Sequence, residues 1–339
     1  MRRIWSILVL LLLCGSALAS SPAEQPYRIA SYGRLVTDVY VNGQGPFSFL
    51  IDTASSRSLI FEHVRKKLAL AQSRPEHLIV YGINDVAEAI PVKPERLALA
   101  GEEVRDLTIG VLPDEASVGL DGILGVDVLA RYFVVLDRGA MRLKLLPQGE
   151  ASARPYHGWA QAQLTPRLLK KFPIRFWYLS VRFNDRNLNT LFDLGAGTTM
   201  LNWYAAERLG VHKRDFSKFG PPPAELQDVL GTRSPALRVQ NVEMRLPGKS
   251  WNRQLVIVAD APVFNYFDLE DQAAAIVGPG LLRNTSLAID FAGQRLFIGP
   301  TIDGQEAPKG INSQFENYTP TPEDDGPPSG SCAAGLLRC

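Results

Sequence analysis

The sequence predicts a mainly β protein made of two similar lobes in one chain, and three observations carry that expectation. An internal repeat runs through the chain. The repeated segments are short apolar or alternating runs closed by turn residues, as strands are. Candidate helices are few and brief. The length of 339 residues suits about two domains.

The repeat is anchored at several points. Phe49-Leu50-Ile51-Asp52-Thr53-Ala54-Ser55 is matched by Leu191-Phe192-Asp193-Leu194-Gly195-Ala196-Gly197, an offset of 141 residues. The same offset aligns Leu59-Ile60 with Met200-Leu201, and Leu68 and Leu70 with Leu209 and Val211. Farther on, Asp121-Gly122-Ile123-Leu124-Gly125 matches Ala274-Ala275-Ile276-Val277-Gly278. An apolar run ending in Asp follows each, at Val134–Asp137 and Leu287–Asp290, and then a last strand, Arg142–Leu145 and Arg295–Ile298. Before the Asp segments, 35–41 and 178–183 alternate in part and run into Asn42 and Asn184 as turn signals. Brief helices are expected at 61–69, 203–209, 126–131 and 280–283.

The ends have a different character. Arg2 and Arg3, the apolar run Ile4–Leu13 and the small-x-small triplet Ala17-Leu18-Ala19 read as a signal peptide over 1–19. This ten-residue stretch falls short of the roughly 20 that span a bilayer, so no stable membrane span is expected. The chain is expected to be exported, to the periplasm or the outside. Lipid anchoring at Cys14 is the competing reading, disfavoured because Leu13 is not small. Lobe 1 is expected over 27–147, a linker over 148–175, lobe 2 over 176–300, and a disordered Pro-rich tail over 301–339. In an oxidising compartment Cys332 and Cys339 are candidates for a disulfide, with two unpaired thiols as the alternative.

Composition excludes several function classes. Lys and Arg total 36 against 35 Asp and Glu, so no strong field favours nucleic acid. Three Cys and four His, far apart, make no zinc, zincin or haem spacing, so no metal is expected. Neither a GxSxG elbow nor a phosphate-binding loop occurs.

Each repeat delivers one Asp at the end of a buried apolar run. A single Asp there is usually a turn or cap residue. Two, at equivalent places in a duplicated chain, are expected to meet at the lobe interface, where close carboxylates cannot both ionise at neutral pH. One protonated and one charged carboxyl make an acid and a base around a single water.

On these residues the chain resembles the pepsin/retropepsin aspartic proteases, in particular bacterial two-repeat members. The family motif is Asp-Thr/Ser-Gly-Ala/Ser after an apolar strand, with a later apolar-apolar-Gly that supports the active-site loop. Asp52-Thr53-Ala54-Ser55 and Asp193-Leu194-Gly195-Ala196 stand at the first element, and Ile123-Leu124-Gly125 and Ile276-Val277-Gly278 at the second. The resemblance implies two β-barrel lobes, Asp52 and Asp193 as catalytic pair, a polypeptide substrate, a monomer and no cofactor. It places the flap hairpin near Val80-Tyr81-Gly82, with Val229-Leu230-Gly231 as its counterpart. Tyr81 is then the flap aromatic, or a turn-flanking Tyr. Ser55 is expected to orient Asp52.

Two positions depart from the family pattern. Ala54 replaces Gly, and is expected to strain the loop if that site needs a positive φ. Leu194 replaces a hydroxyl residue, so only Thr53 can brace the opposite lobe. These departures support an alternative reading as an inactive, aspartic-protease-like peptide-binding protein. A third reading rests on Asp193-Leu194-Gly195-Ala196-Gly197 alone, which resembles the Gly-rich turn of S-adenosylmethionine-dependent methyltransferases. It leaves the rest of the repeat unexplained.

Overall fold

The alternation of Leu35–Val41 buries one side of a strand, and Asn42 and Gly43, both with positive φ (51° and 79°), turn the chain straight back. The computed structural model describes residues 24–30, 33–82, 84–117, 119–171, 174–213, 224–227, 233–282 and 285–302. The signal sequence, Cys14, the Cys332 and Cys339 pair, the tail beyond 302 and Val229-Leu230-Gly231 lie outside the described residues.

The first half contains β1 (Glu24–Ile29), β2 (Leu35–Val41), β3 (Gln44–Ile51), β4 (Leu59–Phe61), β5 (Leu78–Tyr81), β6 (Val86–Val92), β7 (Leu97–Leu99), β8 (Glu102–Val104), β9 (Ile109–Leu112), β10 (Gly122–Leu124), β11 (Phe133–Asp137) and β12 (Arg142–Leu146). Helices α1 (Glu62–Lys67) and α2 (Val126–Leu129) follow β4 and β10, close to their expected places. Then come α3 (Glu150–Ala153), β13 (Ala160–Gln163) and β14 (Thr165–Leu168). The second half contains β15 (Arg175–Phe183), β16 (Arg186–Phe192), β17 (Thr199–Leu201), α4 (Trp203–Arg208), β18 (Ala224–Gln227), β19 (Arg233–Leu246), β20 (Lys249–Val258), α5 (Val263–Tyr266), β21 (Ala274–Val277), β22 (Thr285–Asp290) and β23 (Arg295–Thr301). The short helix expected at 280–283 is a 3-10 turn at Pro279–Leu282.

The repeat reappears as strand pairing. In the first half β3 runs parallel to β10, β10 antiparallel to β4, and β4 parallel to β9. In the second, β16 runs parallel to β21, β21 antiparallel to β17, and β17 parallel to β20. Among the described residues the strands form two sheets, so the molecule is mainly β. In the second sheet the extra pairing of β15 with β19 joins strands distant along the sheet.

The halves are not separate bodies. Strand β11 pairs antiparallel with β22, Val134 opposite Ile289 and Leu136 opposite Leu287. These are the two repeated apolar-Asp segments, each the other's partner, as a two-fold relation requires. One apolar cluster also runs through both halves, with Phe49, Ile51 and Leu124 of the first and Phe192, Leu194 and Val277 of the second. In segment 148–175, which joins the halves, the described residues include two paired strands: β13 pairs with β23 and β14 with β15. Its Tyr156 and Trp159 pack against Phe133 and Phe297, the burial that gives this stretch a fixed place. Among the described residues no helix is long and apolar enough to cross a membrane.

Candidate active site

The ladder that buries β3 between β2 and β10 also delivers its C-terminal end to the junction of the halves. Ile51 stands opposite Leu124 in the parallel pair, and the Asp52 N–H donates to the Leu124 carbonyl at 3.0 Å. In the second half Phe192 stands opposite Val277, and the Asp193 N–H donates to the Val277 carbonyl, also at 3.0 Å. Both apolar-apolar-Gly elements therefore sit beside the strand that carries the Asp.

Each Asp folds its own loop. Asp52 Oδ1 accepts the N–H groups of Ala54 (2.7 Å) and Ser55 (3.0 Å). Asp193 Oδ1 accepts those of Gly195 (2.8 Å) and Ala196 (3.0 Å). This short-range bonding is why Asp suits the turn, and it leaves the second oxygen of each carboxyl outside these bonds. Gly125 and Gly278 back the loops: a Cβ on Gly125 would stand 2.6 Å from the Arg57 backbone, and one on Gly278 3.0 Å from the Thr198 carbonyl oxygen. Ser55 orients Asp52 through its backbone rather than its hydroxyl, which donates to the Arg57 carbonyl.

Thr53 joins the halves. Its buried hydroxyl donates to the Phe192 carbonyl at 2.8 Å and accepts the Leu194 N–H at 2.9 Å. Leu194, fully buried, joins the shared apolar cluster and returns no such bond. The loops meet at Gly195, where a Cβ would lie 2.5 Å from Asp52 Oδ2. Gly195 is needed for close approach, since its φ is not positive. Gly195→Ala should push the Asp52 carboxyl aside, costing about 1–3 kcal/mol of stability and most of any turnover. Urea unfolding and a peptide assay read both effects, and wild-type values in each would refute the contact.

The expected strain at Ala54 is corrected. Its φ is not positive, so no left-handed penalty applies, and its side chain packs against an apolar cluster of the second half.

Burial dominates the electrostatics. It pushes the Asp52 carboxyl up to about 6, against the N–H bonds of Ala54 and Ser55 and the charge of Arg34. Asp193 is raised well above the carboxylate range by burial first and the neighbouring Asp52 charge second. Two buried carboxyls that repel each other hold one proton between them more readily than none. The pair therefore holds a single shared proton over a wide range of pH.

Sequence reasoning missed several residues around this centre. Arg34, just before β2, acts on both carboxyls, and nothing in its neighbourhood signalled that. Ser58 accepts the Gly125 N–H at 3.1 Å and donates its hydroxyl to Asp127 Oδ1 at 2.8 Å. Asp127 thereby ties α2 to the end of the Asp52 loop. It follows directly after Gly125-Val126, and that adjacency was the available signal. Tyr81 ends β5 in the hairpin with β6, and Gly82 N–H closes the turn onto the Asp85 carbonyl at 2.8 Å. The hairpin reaches the other half: the rings of Tyr81 and Tyr266 lie 4.7 Å apart, and Ser234 Oγ is 2.8 Å from Asn84 Oδ1. Among the described residues no cluster of His, Cys, Asp and Glu could hold a metal ion.

Two β units with one pairing scheme thus each carry an Asp just past a strand end at their junction. Residues 37–128 match the family model described as aspartyl protease. The fold is similar to that of a retropepsin-like aspartic protease from Rickettsia conorii, at 20% identity, 37% coverage of this chain, 91% of that chain and a TM-score of 0.30. It is also similar to the aspartic proteinase from Irpex lacteus, at 14% identity, 83% and 98% coverage and a TM-score of 0.49. No curated protein matches the chain.

Proposed function

We propose that the protein is an exported aspartic endopeptidase in which Asp52 and Asp193 activate one water between two acid-protease lobes, about 27–147 and 176–300. The observation that carries this reading is the matched pair of loops, each Asp bound by the N–H groups two and three residues on, with Gly195 pressed against the Asp52 carboxyl.

In the reaction, ionised Asp52 takes a proton from the water as its oxygen attacks the peptide carbonyl carbon. Protonated Asp193 gives its proton to the carbonyl oxygen. The resulting gem-diol collapses when the scissile nitrogen receives a proton from the dyad and one hydroxyl returns a proton to it. The C–N bond breaks, an acid and an amine leave, and the pair again holds the single proton it began with. Thr53 keeps the two loops in register, and the hairpin carrying Tyr81 covers the extended peptide.

The raised carboxyls move the working range. Sequence reasoning places the optimum below neutrality. With both carboxyls raised, Asp52 to about 6, the singly protonated pair persists to higher pH than in an unburied dyad, so the optimum belongs nearer neutrality. The test is incubation of the protein with an unfolded protein mixture across about pH 4–8, with Asp52→Asn and Asp193→Asn as controls. Cleavage lost in both controls supports the reading.

Leu194 favours a second reading, a peptide-binding relative that does not cut, because it removes one half of the brace. Binding of peptide without cleavage at any pH in that series would select it. Cleavage after Ala19 is tested by the N-terminus of protein recovered outside the cytoplasm: Ser20 is expected, and an uncleaved Met1 or a lipid on Cys14 would refute it.

A further inference from the structure

A small apolar cavity of about 120 Å³ opens beside the Asp52 loop. Its walls come from three places: Ala54 of the loop, Tyr81 of the hairpin, and Leu169, Ile174, Phe176 and Tyr266 of the second half and the segment leading into it. Tyr266 ends α5 and closes one side by packing on Tyr81, ring planes tilted by 53°. The bond between Ser234 and Asn84 holds the hairpin in that position. Leu169 and Lys170 are fixed in turn: the Leu169 N–H donates to the Ile174 carbonyl at 2.9 Å, and the Lys170 N–H to Asp268 at 2.7 Å. Exposed Ile79, itself part of the lining, and exposed Leu168, next to Leu169 in sequence, extend the apolar surface outward.

We infer that Tyr266, closing this cavity against Tyr81 over the Ala54 methyl, limits the peptide side chain beside the scissile bond to aliphatic residues of Leu, Ile or Met size. The inference rests on the protease reading for its place in the reaction, and on geometry for its selectivity. An apolar cavity of about 150 Å³ takes a benzene ring; this one is smaller, and its lining is mostly apolar, with Ser55, Ser56 and Arg57 of the loop contributing to one side. Admitting Phe or Trp would need the Tyr81–Tyr266 pair to separate. Ala54 thus has a use where the family pattern has Gly: its methyl raises the floor of the cavity. Tyr266 stands outside the dyad loops and acts on which side chain enters.

The test compares two peptide series differing only in Leu or Phe at the position next to the cleaved bond. Wild type should favour Leu by about tenfold or more in kcat/KM, within the range a pocket gives for changes of a few carbon atoms. Tyr266→Ala should bring the ratio to about one or invert it. Tyr266→Phe, which keeps the ring, should retain the wild-type preference. The same ratio is read without turnover from fluorescence-anisotropy binding of both peptides to the Asp52→Asn, Asp193→Asn double variant. Leu preference in binding with no cleavage by wild type supports the cavity while sinking the protease reading. Equal binding of both peptides, binding of neither, or an unchanged ratio in Tyr266→Ala overturns the inference.

Discussion

Asn in place of either Asp52 or Asp193 is expected to remove nearly all peptide hydrolysis, a loss of about a thousandfold or more in kcat. The amide keeps the shape of the carboxyl, and its oxygen can still accept the two loop N–H bonds. It cannot exchange protons with the water and the carbonyl. Because the two carboxyls act as one unit, the double variant should lose hardly more than either single one. Full activity in Asp193→Asn would refute the dyad.

The same variants carry a signed stability effect. Both carboxyls are raised in the folded state, so their contribution to stability is fully present below the unfolded carboxyl range near 4 and is lost as pH climbs through the folded values. For Asp52 that loss runs through about 6. Asn cannot ionise, so each single variant should unfold at a higher temperature than wild type at pH 8, the Asp52 variant gaining on the order of 2 kcal/mol of stability, and show no such advantage at pH 4. Turnover should show the complementary trend, rising as pH increases through about 6, where Asp52 becomes the base. A thermal-melt series against pH reads the first effect and initial rates the second. Equal melting of Asn variant and wild type at both pH values would contradict the burial argument.

The parts of this architecture visible in the sequence are those written into local pattern. The Asp-ended apolar runs, the Gly that follows Ile123-Leu124 and Ile276-Val277, and the Asn42 and Asn184 turns all depend on neighbours within a few residues, and repetition doubled each signal. Long-range pairing was not visible. The partnership of β11 with β22 depends on two edges meeting across more than a hundred residues, and neither edge announces its partner. Segment 148–175 reads as a connector because its Gly and Pro break periodicity, yet Tyr156, Trp159 and Leu164 give it enough apolar surface to pack. Ala54 misled for a different reason. Gly at such a position serves either a positive φ or close approach, and only coordinates separate the two: φ is not positive at Ala54 or at Gly195, and it is Gly195 that faces a carboxyl.

Thr53→Val should be the most destabilising conservative change at the junction. The two side chains are nearly isosteric, so packing is kept and only the hydroxyl is lost. That hydroxyl is the acceptor for the buried Leu194 N–H and donates to the Phe192 carbonyl. Stranding a buried polar group costs about 1–3 kcal/mol, and with the donated bond gone as well the total should reach about 2–4 kcal/mol. A reciprocal brace would leave a second hydroxyl holding the loops, but position 194 is a buried Leu. Its apolar burial, worth about 2 kcal/mol, exceeds the net value of a typical hydrogen bond, about 1 kcal/mol. Leu194 therefore maintains stability while giving up the directional half of the brace, and all remaining registration of the loops falls on Thr53. Two measurements separate the roles: Thr53→Val should lower both the urea midpoint and kcat, whereas Thr53→Ser, which keeps the hydroxyl and loses a methyl, should recover most of kcat with a smaller stability loss. A Thr53→Val protein within 0.5 kcal/mol of wild type, a margin ordinary for a surface change, would show that the loops are held by packing alone.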